Sequence, residues 1–218
     1  ICHTTPMVQR LADYFGTSID VLAAGDFPGS SAALAGGPAV GQVFEKYEHV
    51  ARRPYDLVLV THSFGSLVPS FNAPRVVVSR DVANFEPAGD VHEAEFNLQL
   101  LQRTLGIGYD EADVRRYFFG GVRGRQPVAG KIALHAGSKG GIWAAKRWPG
   151  FAQLAGRLIG DGYEAVSVGT TDEYVPGTTD RTGLSIARMA EELSTCEALV
   201  TNDSGVMNVA NALGVPIV

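Results

Sequence analysis

The sequence predicts an α/β protein built from parallel sheets, and three observations carry that prediction. Short apolar runs alternate with amphipathic stretches of helical length almost throughout the chain, the pattern of repeated βαβ units. Gly, Pro and small polar residues punctuate the junctions between them. The composition, 45% hydrophobic and 19% charged over 218 residues, suffices for one large or two small domains.

A helix is expected over residues 6–15, with Pro6 in the first turn, where a missing N–H costs nothing. Apolar, β-branched runs predict strands at 19–23, 42–45, 57–61 and 75–78. A second amphipathic helix is expected over 92–105. Residues 120–130, "GGVRGRQPVAG", hold four Gly, one Pro and two Arg and read as a linker between two α/β units. The second unit then predicts strands at 131–135, 165–168, 198–201 and 215–218, and helices at 149–159, 184–194 and 204–213. Pro149 suits a first helical turn, and Gly160 and Gly214 suit helix ends. The chain opens as a helix without its feeding strand and closes within a strand, so both ends are expected to continue in a longer protein.

Charge and cysteine content exclude several function classes. A net charge of −5 gives no broad attraction for nucleic acid. The basic pairs Arg52-Arg53 and Arg115-Arg116 read as solvated surface. Cys2 and Cys196 are too few for a disulfide framework or a Cys metal site; a reducing cytoplasm fits them, with Cys196 as a small core residue. No window nears the roughly 18 apolar residues of a membrane span, and the first residues do not have the pattern of a signal peptide.

The stretch "VLVTHSFGS", residues 58–66, comes near the G-x-S-x-G nucleophile elbow. Thr61 stands where the elbow needs Gly, two prolines break the segment where its long helix should run, and no His occurs in the last 83 residues. A serine esterase using Ser63, with His92 or His135 as partner, is therefore a remote alternative. The Walker A pattern fails at residues 124–132 on spacing and on its hydroxyl residue, and "GIGYDE" at Gly106 comes after a helix and lacks the third Gly.

Two stretches carry more chemistry. In "LHAGSKGGIWAAKRWP", residues 134–149, an apolar strand ends in a loop of three Gly, a Ser and three cations. Glycines let backbone N–H groups approach an anion, and lysines supply point charges; an ordinary βα loop with exposed lysines is the plainer reading. In "ALVTNDSGVMNVANALG", residues 198–214, a strand passes through Asn-Asp-Ser-Gly into a helix. Unpaired N–H groups and the dipole make such an N-terminus a phosphate site; plain capping by Asp203 or Ser204 is the alternative. Two anion-ready loops at the carboxyl ends of parallel strands favour a phosphorylated ligand, with a nucleotide leading.

The blocks "LHAGSKGGIWAAKRWPGFAQLAGRLIGDGYEAVSVGTTDE" and "LSIARMAEELSTCEALVTNDSGVMNVANALGVPIV" resemble glycosyltransferase family 9, the ADP-heptose:lipopolysaccharide heptosyltransferases. "HTTPMVQRLADYFGTSIDVLAAGD", "YDLVLVTHSFGS" and "HEAEFNLQLLQRTLGI" agree more weakly with the family's first half. The resemblance implies a GT-B fold, with an acceptor domain over residues 1–125 and a nucleotide-sugar domain over 126–218, facing a central cleft. It implies an inverting, metal-independent single displacement that moves heptose or a similar sugar, from a donor of the ADP-heptose kind, onto a bacterial surface glycan or lipopolysaccharide core. No cofactor is implied beyond the nucleotide-diphosphate sugar as co-substrate.

By the same resemblance Lys146 and Asp203 are the candidate catalytic residues. Ser138, Lys139, Lys146, Asp203, Ser204, Gly205 and Met207 are the donor-binding set, joined by Glu173 near the ribose and Leu184 near the adenine. A cytoplasmic enzyme is implied, in peripheral contact with the inner membrane face and binding a lipid-linked glycan; Arg52, Arg53, Arg75 and Arg80 suit an anionic acceptor. Two departures stand out: Val206 and Asn208 replace the Pro and His of the family's N-D-S-G-P-M-H. The family's Gly-Asp pair, whose Asp is its candidate base, is expected immediately before Ile1, and its Gly-Pro-Thr segment after Val218. The alternative reading is a degenerate GT-B protein that binds nucleotide or glycan without turnover.

Overall fold

The computed structural model describes residues 2–23, 29–61, 70–79, 91–122 and 124–218. Ser63, the suggested esterase nucleophile, lies outside the described residues, as do His62 and Arg80. The chain divides into two compact units, the first running over His3–Tyr117 and the second over Phe118–Val218.

In the first unit, α1 (Thr5–Phe15) carries Pro6 in its first turn and ends at Gly16, whose φ of 65° gives the left-handed C-cap. β1 (Ile19–Leu22) pairs in parallel with β2 (Val40–Phe44), and β3 (Val58–Val60) with β4 (Val76–Val78). α2 (Glu93–Leu105) is capped by His92, whose side chain accepts from the Ala94 N–H at 3.2 Å, and Glu93 and Glu95 favour its positive end. Met7 and Leu11 of α1 meet Leu98 and Leu101 of α2 and Ile107 in one core, with Ile19 and Leu59 against it. The i, i+3 and i, i+4 spacings of those residues are what made both helices legible. α3 (Glu111–Val114) was not expected: at four residues it shows no periodicity, and it is marked by a capping box between Asp110 and Asp113.

The second unit is a four-stranded parallel sheet in the order β7-β6-β5-β8, formed by β5 (Lys131–His135), β6 (Glu164–Gly169), β7 (Thr179–Thr182) and β8 (Ala198–Thr201). Ala133, Leu134, Val166, Val168 and Leu199 are fully buried, as parallel strands covered on both faces require. α4 (Phe151–Gly160) buries Phe151 and Ala155, and α5 (Ile186–Ser194) buries Met189, Ala190 and Leu193. α6 (Gly205–Leu213) ends at Gly214 with φ 70°.

The second unit departs from expectation in several places. β7, "TDRT", is an exposed polar edge strand with no apolar signal. Pro149 stands ahead of the α4 N-cap Gly150, and Gly160 is the helix's last residue, the left-handed turn falling to Gly162 at φ 88°. Leu184 precedes α5, which starts after the N-cap Ser185. The strand expected over 215–218 is one bridge, Leu199 to Ile217. The glycine-rich 120–130 segment comes after the division between units, and its described residues belong to the second. There Arg125 donates to the carbonyls of Gly214, Cys196 and Glu197 at 2.8–3.1 Å.

Candidate functional site

The sheet order places the site. After β5 the chain builds β6 and β7 on one side, then returns with β8 to the other. The switch point of an open parallel sheet lies at such a reversal, and ligands bind beyond the strands' carboxyl ends there. The loop after β5 and the loop after β8 flank this point, and they are the two stretches with anion-binding character.

Asn202, 7% exposed, fastens the two loops together. Its Nδ2 donates to the carbonyls of Ala136 and Gly137 at 2.9 and 3.1 Å, and its Oδ1 accepts from the Trp148 N–H at 3.0 Å. Only an amide serves all three contacts, since an Asp has no donor. Ser138 is buried, and its hydroxyl donates to the Trp143 carbonyl at 3.0 Å while Arg147 donates to the Ser138 carbonyl at 2.8 Å. Ser138 thus braces the 3₁₀ helix Gly141–Lys146. Lys139 is exposed at the rim of the same loop.

Lys146 and Asp203, one from each loop, form an ion pair. Lys146 Nζ also stands 4.6 Å from the centre of the Trp143 ring, a cation–π arrangement. The side chains are 37% and 63% exposed, so the pair is worth at most about 1 kcal/mol. It fixes the ammonium at the switch point without sequestering it, and a phosphate can compete for it. Ser204, Gly205 and Met207 come next, at the start of α6, whose N-cap Ser204 makes no side-chain hydrogen bond to the helix. The plain capping alternative therefore does not describe Ser204. Asn208 lies in the same first turn.

Glu173 is brought to the same place from the β6–β7 connection. Its Oε2 accepts from the Thr170 N–H at 2.8 Å and meets His135 Nε2 at 3.2 Å. The nest that admits this carboxylate needs two glycines: a Cβ on Gly137 would lie 1.7 Å from Glu173 Oε1, and one on Gly169 would lie 2.3 Å from Oε2. Gly169 also has φ 122°, outside the range of ordinary side chains. His135, 3% exposed at the end of β5, turns Nδ1 to Thr201 Oγ1 at 3.0 Å and Ser204 Oγ at 3.1 Å. Burial pushes its pKa below the ordinary 6.5, with Glu173 opposing and Arg147 assisting, which favours the neutral ring at pH 7. Leu184 is 39% exposed beyond the end of β7.

Of the residues singled out in the sequence, the structure assembles Ser138, Lys146, Glu173, Asp203, Ser204 and Gly205 around two linked loops. Asn202 was not singled out, Arg147 only as one of the three cations of the glycine-rich loop, and His135 only as an esterase partner. The signal of Asn202 and His135 was faint: each sits inside a motif, but the partners of its side chain lie 38 to 69 residues away.

A family model described as "Glycosyltransferase family 9 (heptosyltransferase)" matches residues 70–218. Lipopolysaccharide heptosyltransferase 2 of Salmonella typhimurium is 36% identical over 91 residues, 34% of this chain and 26% of that protein; its Escherichia coli counterpart matches to the same extent. The chain spans about a quarter of the length of the curated relatives it matches. Among solved structures, E. coli heptosyltransferase WaaC with ADP is 18% identical with a TM-score of 0.72, covering 99% of this chain and 81% of that one. A family 9 glycosyltransferase from Veillonella parvula is 17% identical with a TM-score of 0.71, covering 99% of this chain and 75% of that one. The likeness to these structures shows the fold, which is GT-B.

Proposed function

The chain belongs to glycosyltransferase family 9, and from that premise we propose that its second unit binds a nucleotide-diphosphate sugar, of the ADP-heptose kind, for transfer to a lipopolysaccharide-type glycan. The observation that carries the proposal is the convergence at one switch point of the Lys146 ammonium, Asp203 and the α6 N-terminus with its hydroxyl turned aside. Relatives of the same fold are described with ADP and with ADP-2-deoxy-2-fluoro heptose.

In this reading the donor's diphosphate lies over the first turn of α6, where Gly205 allows close approach and the amide groups supply donors. Lys146 exchanges Asp203 for a phosphate oxygen and compensates the charge that grows on the departing nucleotide as the glycosidic bond breaks. Ser138 keeps the loop in shape and Lys139 adds positive charge at its rim. Glu173 offers its carboxylate to the ribose hydroxyls, Leu184 an apolar surface to the base, and Met207 a contact to the sugar. Asp203 holds Lys146 in register and faces the sugar. The acceptor hydroxyl attacks the anomeric carbon from the opposite side, inverting it, and passes its proton to a general base. Positive charge comes from Lys146 and the helix, so the scheme uses no metal and no resident cofactor. We place the reaction at the cytoplasmic face of the inner membrane; no helix among the described residues is long and apolar enough to cross a membrane.

Val206 and Asn208 favour one second reading, a protein that binds the nucleotide without turnover, because Asn208 supplies neither the charge nor the basicity of a His. Thermal denaturation with ADP, followed by incubation with ADP-heptose and a lipopolysaccharide-core acceptor, separates the two. The transferase reading expects ADP protection, loss of that protection in Lys146→Ala and Asp203→Ala, and acceptor-dependent release of ADP. Protection without release supports the binding-only reading, and no ADP-dependent shift in the unmutated protein contradicts both.

A further inference from the structure

α6 begins without a side-chain cap although its N-cap residue is a serine, one of the residues that cap helices best. The Ser204 hydroxyl points instead to His135 Nδ1, 3.1 Å away. The protons can be assigned by elimination. Glu173, as a carboxylate, only accepts, so the proton facing it at 3.2 Å belongs to His135 Nε2. A neutral imidazole carries one N–H, which leaves Nδ1 as an acceptor. Thr201 Oγ1 is 3.0 Å from Nδ1 and 3.4 Å from Ser204 Oγ, and it also has the Asn202 carbonyl, which only accepts, at 2.8 Å. With Thr201 donating to that carbonyl, Nδ1 accepts from Ser204 at 3.1 Å, and this is the arrangement on which the proposal stands.

We propose that His135 is a positioning residue of the donor site: bridging Glu173 and Ser204, its imidazole holds the Ser204 hydroxyl off the first turn of α6, so that the amide groups there stay open to the donor's diphosphate. The role rests on the reading of this site as a nucleotide-diphosphate site. Without the imidazole, Ser204 returns to its ordinary use as an N-cap and occupies an amide the phosphate needs. The same ring links the ribose carboxylate to the diphosphate serine, from strands and loops 38 and 69 residues apart.

The test is the sign of the Ser204→Ala effect in two backgrounds, read as ADP affinity by calorimetry. In the unmutated background, where Ser204 belongs to the proposed donor site, Ser204→Ala brings no gain in ADP affinity. His135→Phe, which keeps the ring volume and removes both hydrogen bonds, weakens ADP by about 5- to 10-fold, the order of one helix cap. Adding Ser204→Ala to His135→Phe restores most of that loss, because the competing hydroxyl is gone. A loss of packing alone is not repaired by deleting a second side chain, so Ser204→Ala weakening or leaving unchanged the His135→Phe protein overturns the proposal. His135→Asn, whose amide oxygen can still accept from Ser204, is expected to bind within about 3-fold of the unmutated protein. NMR of the unmutated protein provides a reading independent of variant folding: the His135 proton is expected on Nε2, and a proton on Nδ1 overturns the assignment. If the unmutated protein fails to bind ADP, the nucleotide reading falls and this role with it; ADP binding without the rescue removes this role alone.

Discussion

At the scale of single residues, the proposed donor site is a set of groups each restrained by a named neighbour. Gly137 is the sharpest case, because the Glu173 carboxylate occupies the space where a Cβ would be. Gly137→Ala is expected to expel Glu173 from its nest and to cost about 1–3 kcal/mol, read as a lower urea midpoint together with weaker binding of ADP; an unchanged midpoint and affinity would show that the nest is not required. His135 gives a pH dependence. Its folded pKa lies below the ordinary 6.5, so the unfolded chain takes up its proton first as the pH falls. The stability tied to the neutral ring is complete above about pH 6.5 and is lost on acidification through the lower native value. Urea midpoints at pH 7.5 and pH 5 should therefore differ more in the unmutated protein than in His135→Phe; equal differences contradict the assignment. Lys146 and Asp203 were legible in the sequence because they sit in dense local motifs, Lys-Arg-Trp-Pro and Asn-Asp-Ser-Gly. The link between His135, Glu173 and Ser204 was not, because hydrogen bonds between distant segments leave no periodic or local trace.

At the scale of elements, the apolar pattern located most helices and strands of both units, and the departures have local causes. β7 escaped because an exposed edge strand buries nothing and so needs no apolar residue. α3 escaped because four residues are too few to show a helical period. Leu184 reads as the first residue of a helix, yet Ser185 is the better cap and α5 starts behind it; this leaves Leu184 partly exposed, as a contact for a base would require. β5 matters most among the elements, since it carries His135 and lies between β6 and β8 at the switch point. Leu134 is fully buried in it and packs with Phe151, Ala155 and Val175. Leu134→Ala is expected to cost about 2–5 kcal/mol, measured by urea denaturation, whereas a loss under about 1 kcal/mol would show a site that collapses freely.

At the scale of the whole molecule, the chain is two α/β units, each with its own core, and the residues proposed to hold the donor belong to the second. Its parallel sheet was legible as a fold class because buried parallel strands are nearly continuous apolar runs. Which loops would meet at the switch point was not, because strand order is invisible to local pattern: the loops after β5 and β8 are neighbours only because β8 returns past β5. Family membership supplies the class of reaction, and the geometry supplies the residues that would carry it. The central claim is that Lys146, held by Asp203 at the start of α6, is the counter-charge for a donor diphosphate. Calorimetric titration of ADP into the unmutated protein and into Lys146→Ala tests it most directly. The expected result is saturable 1:1 binding that Lys146→Ala weakens by at least about 10-fold, the order of one charge-assisted contact. Equal ADP affinity in the two proteins would contradict it.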